Sequence, residues 1–351
     1  MNATPFRTLF GAVLPVVALV LASTTGAAAQ QYRVLQTNSL GGSVHVIDPA
    51  TQRVVGEIDG VPVNHGVQAS ADGTRIYVSS EAQRAVMVID TRTMEIIKTI
   101  PLSARPNNIA LTPDGRKLYV GIIVPPGAVD VIDTQRGEVI KTMPHPGGVH
   151  NVYVTPDGKY AVAGTIAGDQ MTVYSTATDE EAWHWTGESI RPMAISAKAD
   201  GSTDKIYIQV TGHHGFVVVD FDTHREVARV TLPDVPEEER YASVESSLGL
   251  YNGAPAHGLG VSPDGRTVWS TSRMNSKVYV YSVYPELKLL ASIPVGTDPD
   301  WLTFTPDGRF AYVANAATNN VTAIDMHTYQ PVATIPVGEG PKRNTVVTLP
   351  H

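Results

Sequence analysis

The sequence predicts an all-β fold, a single seven-bladed β-propeller of four-stranded blades, and three observations predict it. An Asp-Gly turn preceded by Pro or Ala recurs at Asp72, Asp114, Asp157, Asp200, Asp264 and Asp307, at spacings of 42, 43, 43, 64 and 43 residues. A strand-like segment keeps the same period seven times, as VHVID, VMVID, VDVID, MTVYS, VVVD, VYVYS and VTAID. The two ends of the chain complement each other: YRVLQTN matches the second strand of a unit and RNTVVT the first. Four short alternating strands in each unit of roughly forty residues is the pattern of a propeller blade. Three strands from the start and one from the finish then complete a seventh blade, closing the ring and removing its open edges.

Residues 1–29 read differently. One positive charge in MNATPFR precedes the apolar run LFGAVLPVVALVLA, and STTGAAAQ ends in small residues. That is the pattern of a secretory signal cut after Ala29, and its apolar part is too short for a comfortable membrane span. The mature chain, 30–351, is expected to be periplasmic or secreted, monomeric and without a membrane span.

Composition narrows the chemistry. The 351 residues carry a formal net charge of −8 and no Cys. An acidic surface disfavours a broad nucleic-acid footprint. The missing cysteines exclude disulfides, a thiol nucleophile, Cys-ligated zinc or iron–sulfur clusters and haem attachment through C-x-x-C-H. No phosphate-binding G-x-x-x-x-G-K-[ST] loop, G-x-G-x-x-G turn, G-x-S-x-G elbow or H-E-x-x-H helix is present, so neither a nucleotide cofactor nor α/β-hydrolase chemistry is expected.

The units TPDGRKLYVG, SPDGRTVWST and TPDGRFAYVANAATNNVTAIDMHTYQPVATIPVGEGP resemble the YVTN-type propeller repeat, spelled here YVSS, YVGI and YVAN. The resemblance covers essentially the whole mature chain. It implies a secreted or periplasmic propeller, and related propellers include lactone-hydrolysing and lyase enzymes as well as surface and binding proteins. A shared fold does not carry function across.

The repeat accounts for many charged residues. The six Asp of the Asp-Gly turns, and Asp48, Asp90, Asp133, Asp220 and Asp325 at the ends of the VxVID strands, occupy turn positions where a short carboxylate caps backbone N–H groups. What the repeat does not require stands seven residues before the turn Asp: His65, Asn107, His150, His257 and Asp300. Arg191 matches them in the unit with the longer turn, and Arg343 in the last strand. First strands line a propeller's central channel, so these seven should converge on one mouth. Strand starts beside a wet channel are also simply polar, which is the bland explanation of the set.

The sharper explanation is a site. His65, His150 and His257 are candidate ligands of a divalent transition metal, copper, zinc or iron, with one position open. Asp300, Arg191 and Arg343 are candidate catalytic residues, the arginines holding an anionic group. Asn107, Trp301, His213, His214, Tyr241 and Tyr251 are candidate ligand-binding residues. The last two lie in an insertion at about 234–256 that reads as a lid or partner-binding loop. The expected function is binding of a small anionic molecule, with a metal-dependent reaction. A non-catalytic protein-interaction or envelope scaffold and a metal-free lactonase-like or lyase-like enzyme with a His base are the alternatives.

Overall fold

A computed structural model describes Met1, residues 31–240 and residues 254–350. Residues 31–350 form one compact unit of seven antiparallel four-stranded sheets. We number the blades from the chain start. Blades 1 to 6 span 64–101, 106–144, 149–186, 190–231, 256–294 and 299–336. Blade 7 joins Pro341–Thr348 as its innermost strand to Tyr32–Asn38, Ser43–Asp48 and Arg53–Ile58. In it Tyr32 pairs with Thr348 and Gln36 with Asn344. The expected closure from both ends is what the chain does.

The turns form for the reason their residues suggest. The glycines after the turn aspartates sit at positive φ, for example 70° at Gly73 and 71° at Gly115, a region only glycine enters at no steric cost. All eleven turn carboxylates accept a hydrogen bond from a backbone N–H two or three residues ahead. They are architecture.

The core lies between blades. Leu35, Val44 and Val46 of blade 7 pack with Val67, Ile76 and Val78 of blade 1, and the other clusters repeat this around the ring. Burying each such aliphatic side chain stabilises the fold by about 1.5–3 kcal/mol relative to leaving it in water. A register shift breaks the pairing of third and outer strands in every blade. Bulges at this place twist the rim and blunt its exposed edges.

A second break recurs on the inner side. The pairing of innermost and second strands shifts between Asn64 and Val67, Pro106 and Ile109, Val149 and Asn151, Ile190 and Met193, Ala256 and Leu259, and Pro299 and Trp301. In blade 7 the shift lies opposite Lys342 and Arg343. Every one of these intervals contains its blade's member of the seven matched positions, from His65 to Arg343. Bulges re-aim side chains, and here each re-aims one polar residue.

Among the described residues, no helix is long and apolar enough to cross a membrane.

Candidate active site at the axial mouth

The seven innermost strands contact one another in a closed cycle, and their re-aimed residues are all buried: His65, Asn107, His150, Arg191, His257, Asp300 and Arg343. Groups that polar are buried only with partners, and the partners show convergence. Asn107 Nδ2 lies 3.3 Å from His65 Nδ1 across the blade 1–2 boundary. The rings of His150 and His257, two blades apart, are 6.2 Å between centroids and perpendicular. An Arg343 Nη of blade 7 donates to Asn151 Oδ1 of blade 3, on the far side of the axis.

Each imidazole is held through Nδ1. His257 Nδ1 lies 2.9 Å from the Asp300 carbonyl oxygen, which can only accept, so Nδ1 carries the proton and Nε2 the lone pair. His65 Nδ1 lies 2.8 Å from Oε1 of the ionised Glu81 carboxylate, a closer partner than Asn107 Nδ2 and one that only accepts, so Nδ1 carries the proton here too. His150 Nδ1 contacts Asn151 Nδ2. Among the described residues no hydrogen bond reaches Nε2 of any of the three. Burial pushes all three imidazoles below their ordinary value, His65 to about 4, so all are neutral at neutral pH.

Charge is dense here. Burial pushes the Asp300 carboxyl up, but His257, Arg273, Lys342 and Arg343 together hold it below its ordinary value. Burial, with Arg273 nearby, lowers the Arg191 guanidinium to about 10. Arg273 pairs with Asp298 at 3.0 Å and also contacts Asp300. Among the described residues Lys342 makes no ion pair, and it is half-buried.

The three-histidine metal centre expected from the sequence is not shown by this geometry. Among the described residues no group of three His, Asp or Glu side chains lies close enough to hold an ion. His65 is held by Glu81, and Arg191, Arg273 and Arg343 would repel a dication. Other expected residues are placed elsewhere. His213 Nε2 is 2.9 Å from the Val230 carbonyl and His214 Nε2 is 2.8 Å from Ser272 Oγ, so both fasten strands rather than face the ring. Trp301 does reach the ring, but Arg343 covers its face at 3.6 Å from the centroid, so its stacking partner is internal. Tyr241 and Tyr251 lie outside the described residues. Of the insertion's described part, Glu237–Glu239 form an exposed 3-10 turn.

Sequence reasoning missed Glu81, Thr211 and Arg273, the partners of the ring. Thr211 Oγ1 accepts from Arg191 Nε at 2.8 Å. Glu81 and Arg273 each stand nine residues after their turn Asp, and Thr211 is the match in the unit with the longer turn. A second alignment on the turns would have found this outer ring. Lys342, beside a ring residue in sequence, carried no such periodic signal, and Asn151 shares its register with Asn108 and Asn344, which does not single it out.

A family model described as "Lactonase, 7-bladed beta-propeller" matches residues 128–331. Two curated relatives match shorter stretches: YncE of Salmonella typhi, 30% identical over 91 residues, and Antigen Lp49 of Leptospira interrogans, 33% identical over 92 residues. Each match takes 26% of this chain, and it spans 26% of YncE and 20% of Antigen Lp49. Among solved structures, the periplasmic gluconolactonase of Pseudomonas aeruginosa superposes with a TM-score of 0.72 at 22% identity, over 91% of this chain and 100% of that one. A putative 6-phosphogluconolactonase of Bacteroides fragilis gives 0.71 at 18% identity, over 91% and 98%. Hydrazine synthase of Kuenenia stuttgartiensis gives 0.68 at 22% identity, over 83% and 91%. Likeness at this identity is likeness of fold.

Proposed function

The chain belongs to the seven-bladed β-propeller lactonase family, and on that premise we propose that it opens a small anionic lactone at the axial mouth, with His257 as general base. The observation that carries this reading is the state of His257: buried, neutral, and protonated on Nδ1 by its bond to the Asp300 carbonyl, with no hydrogen bond to Nε2 among the described residues. Such an imidazole keeps its lone pair available across neutral pH. The Asp300 carboxylate, with Oδ1 3.5 Å from Nδ1, offsets the charge that forms when Nε2 takes a proton, as an orienting carboxylate does.

The step balances as follows. A water oxygen bonds to the ester carbonyl carbon while its proton passes to His257 Nε2. The ring C–O bond then breaks, and the same proton goes to the departing alkoxide oxygen. The product is a hydroxy acid, whose acidic proton is lost to water. Arg191 and Arg343 supply positive charge for the substrate anion and for the carbonyl oxygen as it becomes negative. Lys342, without a carboxylate ion-pair partner among the described residues, suits the anionic group of the ligand. No step calls on a metal ion.

Export to the periplasm accompanies this reading, supported by the signal-like residues 1–29 and by the periplasmic gluconolactonase among the similar folds. The YVSS, YVGI and YVAN spellings support placing the repeats with the YVTN type.

The test is hydrolysis of a panel of aldonolactones, neutral and carboxylated or phosphorylated, followed by proton release. The mature protein should accelerate at least one anionic member, and His257→Gln should lose on the order of 10²–10⁴-fold in kcat with folding preserved. No acceleration of any member, or a folded His257→Gln enzyme equal to wild type, sinks the reading.

A further inference from the structure

His150 faces His257 across the mouth, and among the described residues its Nδ1, unlike those of His65 and His257, has no carboxylate or carbonyl oxygen as a hydrogen-bond partner. Its partner is the side-chain amide of Asn151, whose orientation is not free. Arg343, which can only donate, donates to Asn151 Oδ1. The Tyr153 hydroxyl donates to the same oxygen at 3.2 Å, its own oxygen already accepting from the Met193 N–H at 3.2 Å. Two donors fix which end of the amide is oxygen, an assignment that otherwise rests on convention. Asn151 therefore presents Nδ2–H to His150, and Nδ1 of His150 must accept.

From this chain of bonds we infer that Asn151 is a positioning residue that sets His150 as the Nε2–H tautomer, the reverse of His65 and His257. The mouth then holds one imidazole that donates a proton into it and two that offer lone pairs. All members of the relay, Arg343, Asn151 and His150, are buried, so water does not scramble the assignment. In the lactone-opening reading on which the catalytic consequence rests, His257 activates water while the Nε2–H of His150 donates to the carbonyl oxygen as it gains charge. The tautomer itself does not depend on that reading. It also bears on a three-histidine metal site. Ligation by His150 Nε2 would move its proton to Nδ1, against the Asn151 amide N–H.

The experiment is imidazole nitrogen NMR on uniformly ¹⁵N-labelled mature protein near neutral pH, with His150 assigned by the signals lost in His150→Gln. Wild type should show the His150 proton on Nε2 and those of His65 and His257 on Nδ1. In Asn151→Asp the new carboxylate accepts instead of donating, and the His150 proton should move to Nδ1 while the thermal midpoint confirms folding. A wild-type His150 protonated on Nδ1, or a folded Asn151→Asp variant that keeps Nε2–H, overturns the inference. Kinetics separate it from the reading beneath it. The proton shift accompanied by a loss of kcat on the order of 10²-fold, with KM little changed, supports both. The proton shift with kcat unchanged upholds the tautomer and removes His150 from the reaction.

Discussion

Nδ1 of His257 in blade 5 lies 2.9 Å from the main-chain oxygen of Asp300 in blade 6. The bond crosses a blade boundary beside a glycine. A methyl group at Gly258 would sit 3.0 Å from that same oxygen and 3.0 Å from Trp301 Cα. Gly258→Ala should therefore push the Asp300 carbonyl off His257. We expect a loss of about 1–3 kcal/mol in unfolding free energy together with a fall in kcat. Urea unfolding and lactone turnover on the same preparation check this, and an unchanged variant in both would contradict the close approach.

Arg273 is expected to be the most sensitive single position of the outer ring. It is 1% exposed and joins Asp298 and Asp300, which are equally buried. Removing one partner of a buried ionic group leaves the others uncompensated, at about 3–5 kcal/mol. Arg273→Met should lower the denaturation midpoint accordingly. Arg266→Met, which removes an exposed arginine from a turn, should leave it unchanged within about 0.5 kcal/mol.

Acid should weaken the fold through the buried histidines. The folded-state value of His65 is depressed to about 4 from 6.5, so the unfolded chain takes up a proton first as pH falls. Its contribution is complete above pH 6.5 and is lost progressively down to about 4, on the order of 3 kcal/mol. His150 and His257 shift in the same direction and add to it. Asp300, also depressed, adds a further loss once pH drops below the ordinary carboxylate range. Urea midpoints measured from about pH 7 to about pH 5 should fall steadily, and a flat profile would contradict the burial of these rings.

Metal dependence offers a separate check on the mouth. Protein purified without an affinity tag and treated with a chelator should keep its turnover. Elemental analysis should find no stoichiometric metal that disappears when His65, His150 and His257 are replaced together. A bound metal lost in that variant would restore the metal reading.

How much of this was legible in the sequence follows from what repeats. The turns and VxVID strands recur because every blade must solve the same backbone problem, so blade count and closure are readable. The inner ring is readable because it holds a fixed register to a turn. Its chemistry is less so, because a side chain's partner comes from another unit: Glu81 for His65, the Asp300 carbonyl for His257. Asn151 does not stand out, since the matching positions hold Gly66, Asn108, Pro192, Gly258, Trp301 and Asn344, and the register does not tell which Asn orients an imidazole. Which nitrogen of an imidazole carries its proton is set by such partners, which sequence spacing alone does not identify.

The strand Pro341–Thr348 has a consequence for timing. It is the last of the ring in chain order, yet it brings Lys342 and Arg343 to the mouth, and Arg343 reaches across to steady Asn151 and, through it, His150. Six blades can be in place while the mouth still lacks two cations and the orientation of a histidine made nearly two hundred residues earlier. If the mouth opens lactones as proposed, a nascent or clipped chain should be silent rather than partly active, and turnover becomes a readout of a closed ring.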